Sequence, residues 1–245
     1  DPKEAKGIVK RDIIEIITPG TSFNTESLEE KDDNLLAALH QSGENRYALA
    51  LLEVTTGEFS VVEGDEEEIT TELFRRVPKE LLTAEKASEE AYPAPLSKLL
   101  EQELCAVTEL SLSYFSSQSG EKLLLKQFQV ASLESYGLID HPAAISAAGA
   151  VLSYLIELKR SSMDHIDRIS LRNIQQYMML DPQTLRNLEI LRPLNHEDER
   201  STLLYVLDHT STAMGGRLLR RWLAYPLLER QPLEARLDAV EELLH

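Results

Sequence analysis

The chain has 245 residues, 42% of them apolar, and its 25 lysines and arginines face 42 acids for a formal net charge of −17. That length suits two domains of ordinary size, the composition excludes a collagen-like or disordered chain, and the charge counts against a module that grips phosphates with its whole surface. Residues 1–162 carry 15 cations against 29 acids, whereas residues 163–245 carry 10 against 13, and all ten of those cations are arginine, a choice that suits fixed ion pairs or phosphate contacts.

In chain order, "IVKRDIIEII" at 8–17 mixes β-branched residues with charges and stops at Pro19-Gly20, which predicts a strand ended by a turn. "NLLAALH" from 34 is a short helix or a strand. "RYALALLEVTTGEFSVVEG" predicts a β-hairpin through Thr55-Thr56-Gly57, with Gly57 supplying the positive φ that such a turn needs. "DEEEITTELFRRV" places acids in its first turn and arginines in its last, as the helix dipole favours. "KELLTAE" reads as another strand, "PAPLSKLLEQEL" as a short helix, "LSLSYFS" from 110 as a further strand and "SQSGE" at 117 as a polar loop. From 143 the period becomes helical: Ala147, Ala148, Val151, Leu155 and Leu158 share one face, and Ser146, Ser153, Glu157 and Arg160 the other. The first domain is therefore α/β, residues 1–162, and this long helix ends it.

After "SSMDHIDRISL", an extended connector, helices dominate residues 163–245. Asp181 precedes Pro182, an N-cap followed by proline at the first helical position, and "TLRNLEIL" carries that helix to Pro193. "TLLYVLDHT" makes another. Pro232 opens a last helix whose stripe of Leu233, Leu237, Val240 and Leu244 is still running at His245, so partner surface from further sequence is expected, with the first domain self-sufficient and the second either more mobile or shielded by a second copy.

The stretch "TSTAMGGRLLRRWLAYPL" at 210–227 holds three arginines and the only tryptophan. At roughly 100° per residue, Met214, Leu218, Leu219, Trp222 and Leu223 fill one arc and Arg217, Arg220 and Arg221 the next. The wheel places Trp222 toward a core and leaves the arginines either as a solvated, ion-paired edge or as a contact for phosphate or another domain. Gly215 and Gly216 are poor helix formers unless another backbone approaches there, and Tyr225-Pro226 stops the helix.

Chemistry is sparse. The chain contains neither a Gly-x-x-x-x-Gly-Lys loop nor Gly-x-Gly-x-x-Gly, its six histidines never fall at i and i+4, and its one cysteine, Cys105, can supply no internal disulfide or thiolate zinc site. No Gly-x-Ser-x-Gly elbow occurs either. Glu53 stands near the end of the first hairpin strand, where nucleases of the ribonuclease H type place a metal-binding carboxylate, and Asp12, Glu58 or Glu157 are the available companions for a two-metal site; the alternative is a plain sheet-edge residue. The charge-free stretch "HPAAISAAGAVLSYLI" has 16 residues, short of the roughly 20 that span a bilayer. With no apolar leader in "DPKEAKG" and a lone cysteine, a cytoplasmic chain with no membrane partner is expected.

Five stretches taken together resemble the MutS family of DNA mismatch-repair proteins: "KGIVKRDIIEIITPGT" at 6–21, "LEVTTGEF" at 52–59, "AAGAVLSYL" at 147–155, "MMLDPQTLRNLEI" at 178–190, and "TAMGGRLLRRWLAYPL" with "RLDAVEEL" after it. Their order covers nearly the whole chain, although Glu53 stands where many relatives carry aspartate. The resemblance implies a ribonuclease H-like α/β connector domain without nuclease activity, followed by the first part of an all-α lever or core domain. It places the mismatch-reading Phe-x-Glu segment before this region and the phosphate loop well after it. By resemblance, ATP and Mg²⁺ belong to the parent and no cofactor to this chain, the connector docks a MutL-type protein, and DNA binding and homodimerisation belong to the full-length parent. The apolar face of 214–225 is then expected inside the lever domain, with Arg217, Arg220 and Arg221 toward another domain or phosphate, and Gly57, Asp181, Gly215 and Trp222 in structural roles.

Overall fold

A computed structural model of the chain describes residues 18–21, 33–85, 92–101, 104–158, 163–194 and 199–243. The strand expected at 8–17, together with Asp12, Arg160 and Leu244, lies outside the described residues.

The α/β unit is built on a six-stranded sheet whose order is β5-β4-β1-β2-β3-β6. Strands β1 (Leu35–Gly43), β2 (Arg46–Glu53) and β3 (Phe59–Gly64) form an antiparallel meander. On one side β4 (Glu80–Ala84) and β5 (Ala106–Leu110) add in parallel, and on the other β6 (Ile169–Leu171) pairs in parallel with β3. "NLLAALH" therefore belongs to a strand. Its near-continuous apolar run is what a strand covered on both faces requires: Leu36 and Ala38 face one cluster, and Ala37 and Leu39 the other. Beyond residue 162, where the α/β unit was expected to end, β6 still supplies that unit's sheet.

The β2–β3 connection is the expected hairpin, with Gly57 at φ +75°. A Cβ there would sit 2.1 Å from the carbonyl oxygen of His165, whose Nε2 lies 3.0 Å from Val54 O, so the hairpin tip and the 163–167 segment hold each other. Helix α1 (Glu66–Arg75) starts at a full capping box, Asp65 accepting from Glu68 N and Glu68 accepting from Asp65 N. It lays Ile69 and Leu73 on one face of the sheet beside α2 (Ala94–Leu100).

The opposite face is covered by α3 (Ser117–Phe128) and α4 (Pro142–Leu158). Two expectations are corrected here. The strand expected at 110–116 ends at Leu110, because the register with β4 runs out at Ala84, and residues 112–115 form a 3-10 turn that stacks Phe115 on His40. The polar loop expected at 117 is the first turn of α3, capped by Ser116. Gly120 in that turn meets Gly149 of α4 so closely that a Cβ on Gly149 would lie 2.4 Å from Gly120 Cα. Helix α4 is sandwiched between sheet and α3, so its expected polar face is only partly polar: Ser146 is buried and satisfies its hydroxyl on Pro142 O at 2.9 Å.

After β6 the described regular elements are helices, among them α5 (Pro182–Asn187), α6 (Leu203–Leu207), α7 (Ala213–Ala224) and α8 (Arg230–Leu243). Asp181 caps α5 as expected, accepting from Thr184 N at 2.9 Å and Thr184 Oγ1 at 2.5 Å. These bonds hold its carboxyl below the usual aspartate range. The helix stops at Asn187 rather than running to Pro193, because Glu189 turns left-handed at φ +44° and its carbonyl accepts from Leu203 N. The stripe of Leu233, Leu237 and Val240 on α8 is exposed. Among the described residues, no helix is long and apolar enough to cross a membrane.

Candidate functional site

Glu53 occupies a central strand, not a sheet edge, and is buried. Its oxygens accept from Asn34 N at 3.1 Å, Thr55 Oγ1 at 2.5 Å and Thr56 N at 2.5 Å. Burial alone would raise its pKa, but these donors outweigh it and hold the carboxyl below the ordinary glutamate value. The carboxylate is consumed in fixing the turn. Its proposed companions go elsewhere: Glu58 pairs with Arg221 and Arg76, and Glu157 accepts from Tyr114. No group of three or more metal-ligating side chains occurs among the described residues, so the nuclease alternative finds no support.

The chemistry that the fold does concentrate lies where α1 ends. Glu72, Arg75 and Arg76 fall at i, i+3 and i+4, on one side of the helix, and all three are buried. Burying such charges costs several kcal/mol each unless they are paired; the partners of Glu72 and Arg75 come from the helical segment, and those of Arg76 are Asp33 and Glu58. Arg172 Nη1 donates to Glu72 Oε1 at 2.8 Å and to Tyr225 Oη at 3.3 Å. The Tyr225 hydroxyl donates to the same Glu72 oxygen at 2.5 Å. Arg75 donates to the carbonyl of Met178, and Arg76 Nη2 to Asp33 Oδ2 at 3.1 Å. The Tyr225 ring lies between guanidinium groups, 4.4 Å from Arg172 and 5.2 Å from Arg75, and meets Tyr177 edge-on at 5.1 Å. Met178 N donates to Pro226 O at 2.8 Å, which ties the backbone at Tyr177 and Met178 to the chain just after Tyr225.

The electrostatics follow from this packing. Burial pushes the Tyr225 hydroxyl up, and the Glu72 carboxylate pushes it further. For Arg172 burial pulls the other way, yet the facing Tyr225 and Glu72 oxygens win and raise it. Arg76 is raised likewise, its burial outweighed by Tyr225, Asp33 and Glu58. Arg75 alone is lowered, since burial dominates over Glu72 and Tyr225.

Helix α7 turns its arginine arc toward the α/β unit, and its apolar arc is only partly covered. Met214 is 79% exposed and Leu218 45%, whereas Gly216, Arg217, Ala224 and Tyr225 are buried. Arg221 pairs with Glu58 of the hairpin, and Arg220 lines the cleft described below. Trp222 is only half-buried and carries the Arg236 guanidinium of α8 at 4.9 Å from its ring. The hairpin offers Arg221 a carboxylate, Glu58, with which the leucine arc could not pair. At Gly215 a Cβ would meet Thr212 Oγ1 at 3.2 Å and Thr210 Cβ at 3.3 Å, which places it against the capping threonine of α7. Glu72, Arg75, Arg76, Arg172, Tyr177 and Tyr225 were not singled out from the sequence. The available signal was a Glu72/Arg75/Arg76 cluster sharing one side of a helix whose other side is apolar.

Between α1 and the helical segment opens a cleft of about 1220 Å³. Arg75, Arg76 and Lys79 line it from the α/β unit, and Arg192, Arg200, Arg220 and Arg221 from the helical one.

This arrangement can be set beside known proteins. The family model described as MutS domain II matches residues 34–167, and that described as MutS domain III matches residues 183–245. The chain belongs to the MutS family. It is 39% identical to the DNA mismatch repair protein MutS of Thermosynechococcus vestitus, over all of this chain and 29% of that protein. It is 38% identical to the MutS of Caldanaerobacter subterraneus subsp. tengcongensis, over all of this chain and 28% of that protein. The MutS of Protochlamydia amoebophila matches at 38% identity with the same coverage. The chain thus spans less than a third of the length of these relatives. The two MutS domain matches leave residues 168–182 between them, and that interval holds β6, Arg172, Tyr177 and Met178, which are the pieces that join the two units.

Proposed function

We propose that this segment of a MutS-type mismatch-repair protein is a mechanical coupler. It holds a connector-type α/β unit, residues 1–162 extended by β6, to the start of a lever-type helical unit, so that a change at one end of the parent reaches the other. One observation carries this: the buried Glu72–Arg172–Tyr225 cluster joins α1, the 168–182 interval and the end of α7 through charge-assisted hydrogen bonds, which hold one geometry and lose most of their strength when it shifts. Such couplings typically amount to about 1–3 kcal/mol.

The segment has no catalytic role in this proposal. Mismatch recognition, ATP and Mg²⁺ belong to the parent, as do homodimerisation and a cytoplasmic location. For a MutL-type partner the α/β unit offers Leu112 and Ile156, exposed at 70% and 46%, on the two elements that the Tyr114–Glu157 contact joins. The experiment is to place Tyr225→Phe in the full-length protein and measure how far mismatched DNA changes its rate of ATP turnover. Loss of that response with DNA affinity kept is the expected result. An unchanged response in a variant whose joint is measurably weakened overturns the proposal.

A further inference from the structure

Two contacts between α7 and the α/β unit lie one helical turn apart and differ in kind. At the C-cap, Tyr225 is buried in the cluster with Glu72 and Arg172, whose side chains are 0% and 15% exposed. One turn earlier Arg221 pairs with Glu58 of the hairpin, and those side chains are 41% and 36% exposed. Salt reaches the second contact far more than the first. The screening length falls from about 10 Å at 0.1 M to about 3 Å at 1 M, and buried pairs are screened much less.

The hairpin side of the exposed pair is fixed. Gly57 is pressed against the His165 carbonyl, and His165 Nε2 lies 3.0 Å from Val54 O. Gln127 of α3 pins the same segment, its Nε2 donating to Met163 O at 3.0 Å and to Ile166 O at 2.9 Å. Glu58 also has a second cation: Arg76 Nη1 lies 3.7 Å from Glu58 Oε1, and Arg76 is itself held by Asp33. Glu58 therefore keeps a partner when Arg221 departs, so parting costs no more than the loss of a half-exposed pair. The α7 side is looser, since the first half of that helix exposes Met214 and Leu218.

We infer that Glu58–Arg221 is an electrostatic latch and Tyr225 a pivot: the latch opens while the buried cluster stays closed, and α7 swings about its own C-terminal end. As a regulator of coupling, the latch rests on the reading of this joint given above; as a motion, it is measured on its own. A helix of 12 residues containing Gly215 and Gly216 is marginal in water by itself. Once undocked, α7 frays and its backbone amides exchange faster.

Hydrogen exchange of the full 245-residue chain, read peptide by peptide by mass spectrometry, tests the latch. Between about 0.05 M and about 0.5 M NaCl, peptides covering 213–224 should come to exchange about two- to fivefold faster, the factor expected from losing a half-exposed ion pair. Peptides covering 72–76 and 172–178 should keep their rates. Glu58→Gln should reproduce the acceleration at low salt and abolish the salt response. Arg221→Gln should do the same, and the double variant should exchange no faster than either single one. Equal acceleration of both peptide sets means that the joint opens as one body and overturns the latch. A salt response that survives in Glu58→Gln overturns it too, as do unchanged rates throughout 213–224. Where a variant loses its circular-dichroism signature, the wild-type salt series decides through the contrast between the two peptide sets. None of these readouts involves ATP, so the two readings fail separately. A latch that opens alone, in a parent whose ATP response ignores Tyr225→Phe, removes the coupler and leaves the latch; opening as one body, with that response lost, removes the latch and leaves the coupler.

Discussion

Replacing Tyr225 by phenylalanine removes one oxygen and keeps the ring. The ring's contacts with Arg172, Arg75 and Tyr177 survive, so the variant isolates the hydroxyl. That hydroxyl donates to the fully buried Glu72 at 2.5 Å and accepts a longer bond from Arg172 at 3.3 Å. A hydrogen bond to a charged group is worth about 1.5–3 kcal/mol net. Glu72 keeps Arg172 at 2.8 Å in the variant, so the carboxylate is not orphaned, and the expected loss is about 2 kcal/mol. For a chain of this size that corresponds to a fall of about 4–8 °C in the unfolding midpoint. Urea unfolding followed by the fluorescence of Trp222, the only tryptophan and three residues from Tyr225, reports the helical unit, while far-ultraviolet circular dichroism reports the whole chain. The Trp222 transition should move to lower urea by the full amount. A double-mutant cycle with Glu72→Gln should return a coupling above about 1 kcal/mol, since the two groups share one bond. A loss under about 0.5 kcal/mol, or additive single variants, would refute the claim that the cluster holds the joint.

Gly149→Ala should destabilise the α/β unit by about 1–3 kcal/mol, because the new methyl would enter the contact between α4 and Gly120 of α3; a thermal midpoint at or above that of the wild type would contradict the close approach. Glu53→Gln should cost most near neutral pH. The folded-state pKa lies below the ordinary 4.5, so ionised Glu53 stabilises the fold above that value and its contribution drains away as pH falls through the lower, folded value; a wild-type–variant difference in urea midpoint that is equal at pH 7 and at acid pH would show that the turn does not need the charge. Burial pushes the Cys105 thiol up from 9.0 to about 11, so at pH 8 its thiolate is on the order of 100-fold scarcer than in the unfolded chain. Iodoacetamide should label native Cys105 correspondingly slowly, and equal rates with and without urea would place the thiol in water.

What the sequence alone determined is local. Two β-rich runs and Gly57 specify the hairpin, Asp65 and Glu68 specify the start of α1, and Asp181-Pro182 specifies the start of α5, because each signal lies within a few residues of the structure that it creates. The order of family motifs was legible for the same reason. The first turn of α3 was not, since "SQSGE" carries loop and helix-start signals alike, and only the meeting of Gly120 with Gly149 gives its glycine a use. Three residues of β6 have no period to detect, and the strand exists because β3 offers an edge to pair with. The orientation of α7 and the joint itself were decided by tertiary structure. A helical wheel ranks faces by hydropathy and leaves Arg217, Arg220 and Arg221 as either a solvated edge or an interdomain contact, and only the fold sets Glu58 of the hairpin against Arg221. Glu72 and Tyr225 stand 153 positions apart. A buried charge is stable only beside its partner, and when that partner comes from so far along the chain, no local pattern announces it.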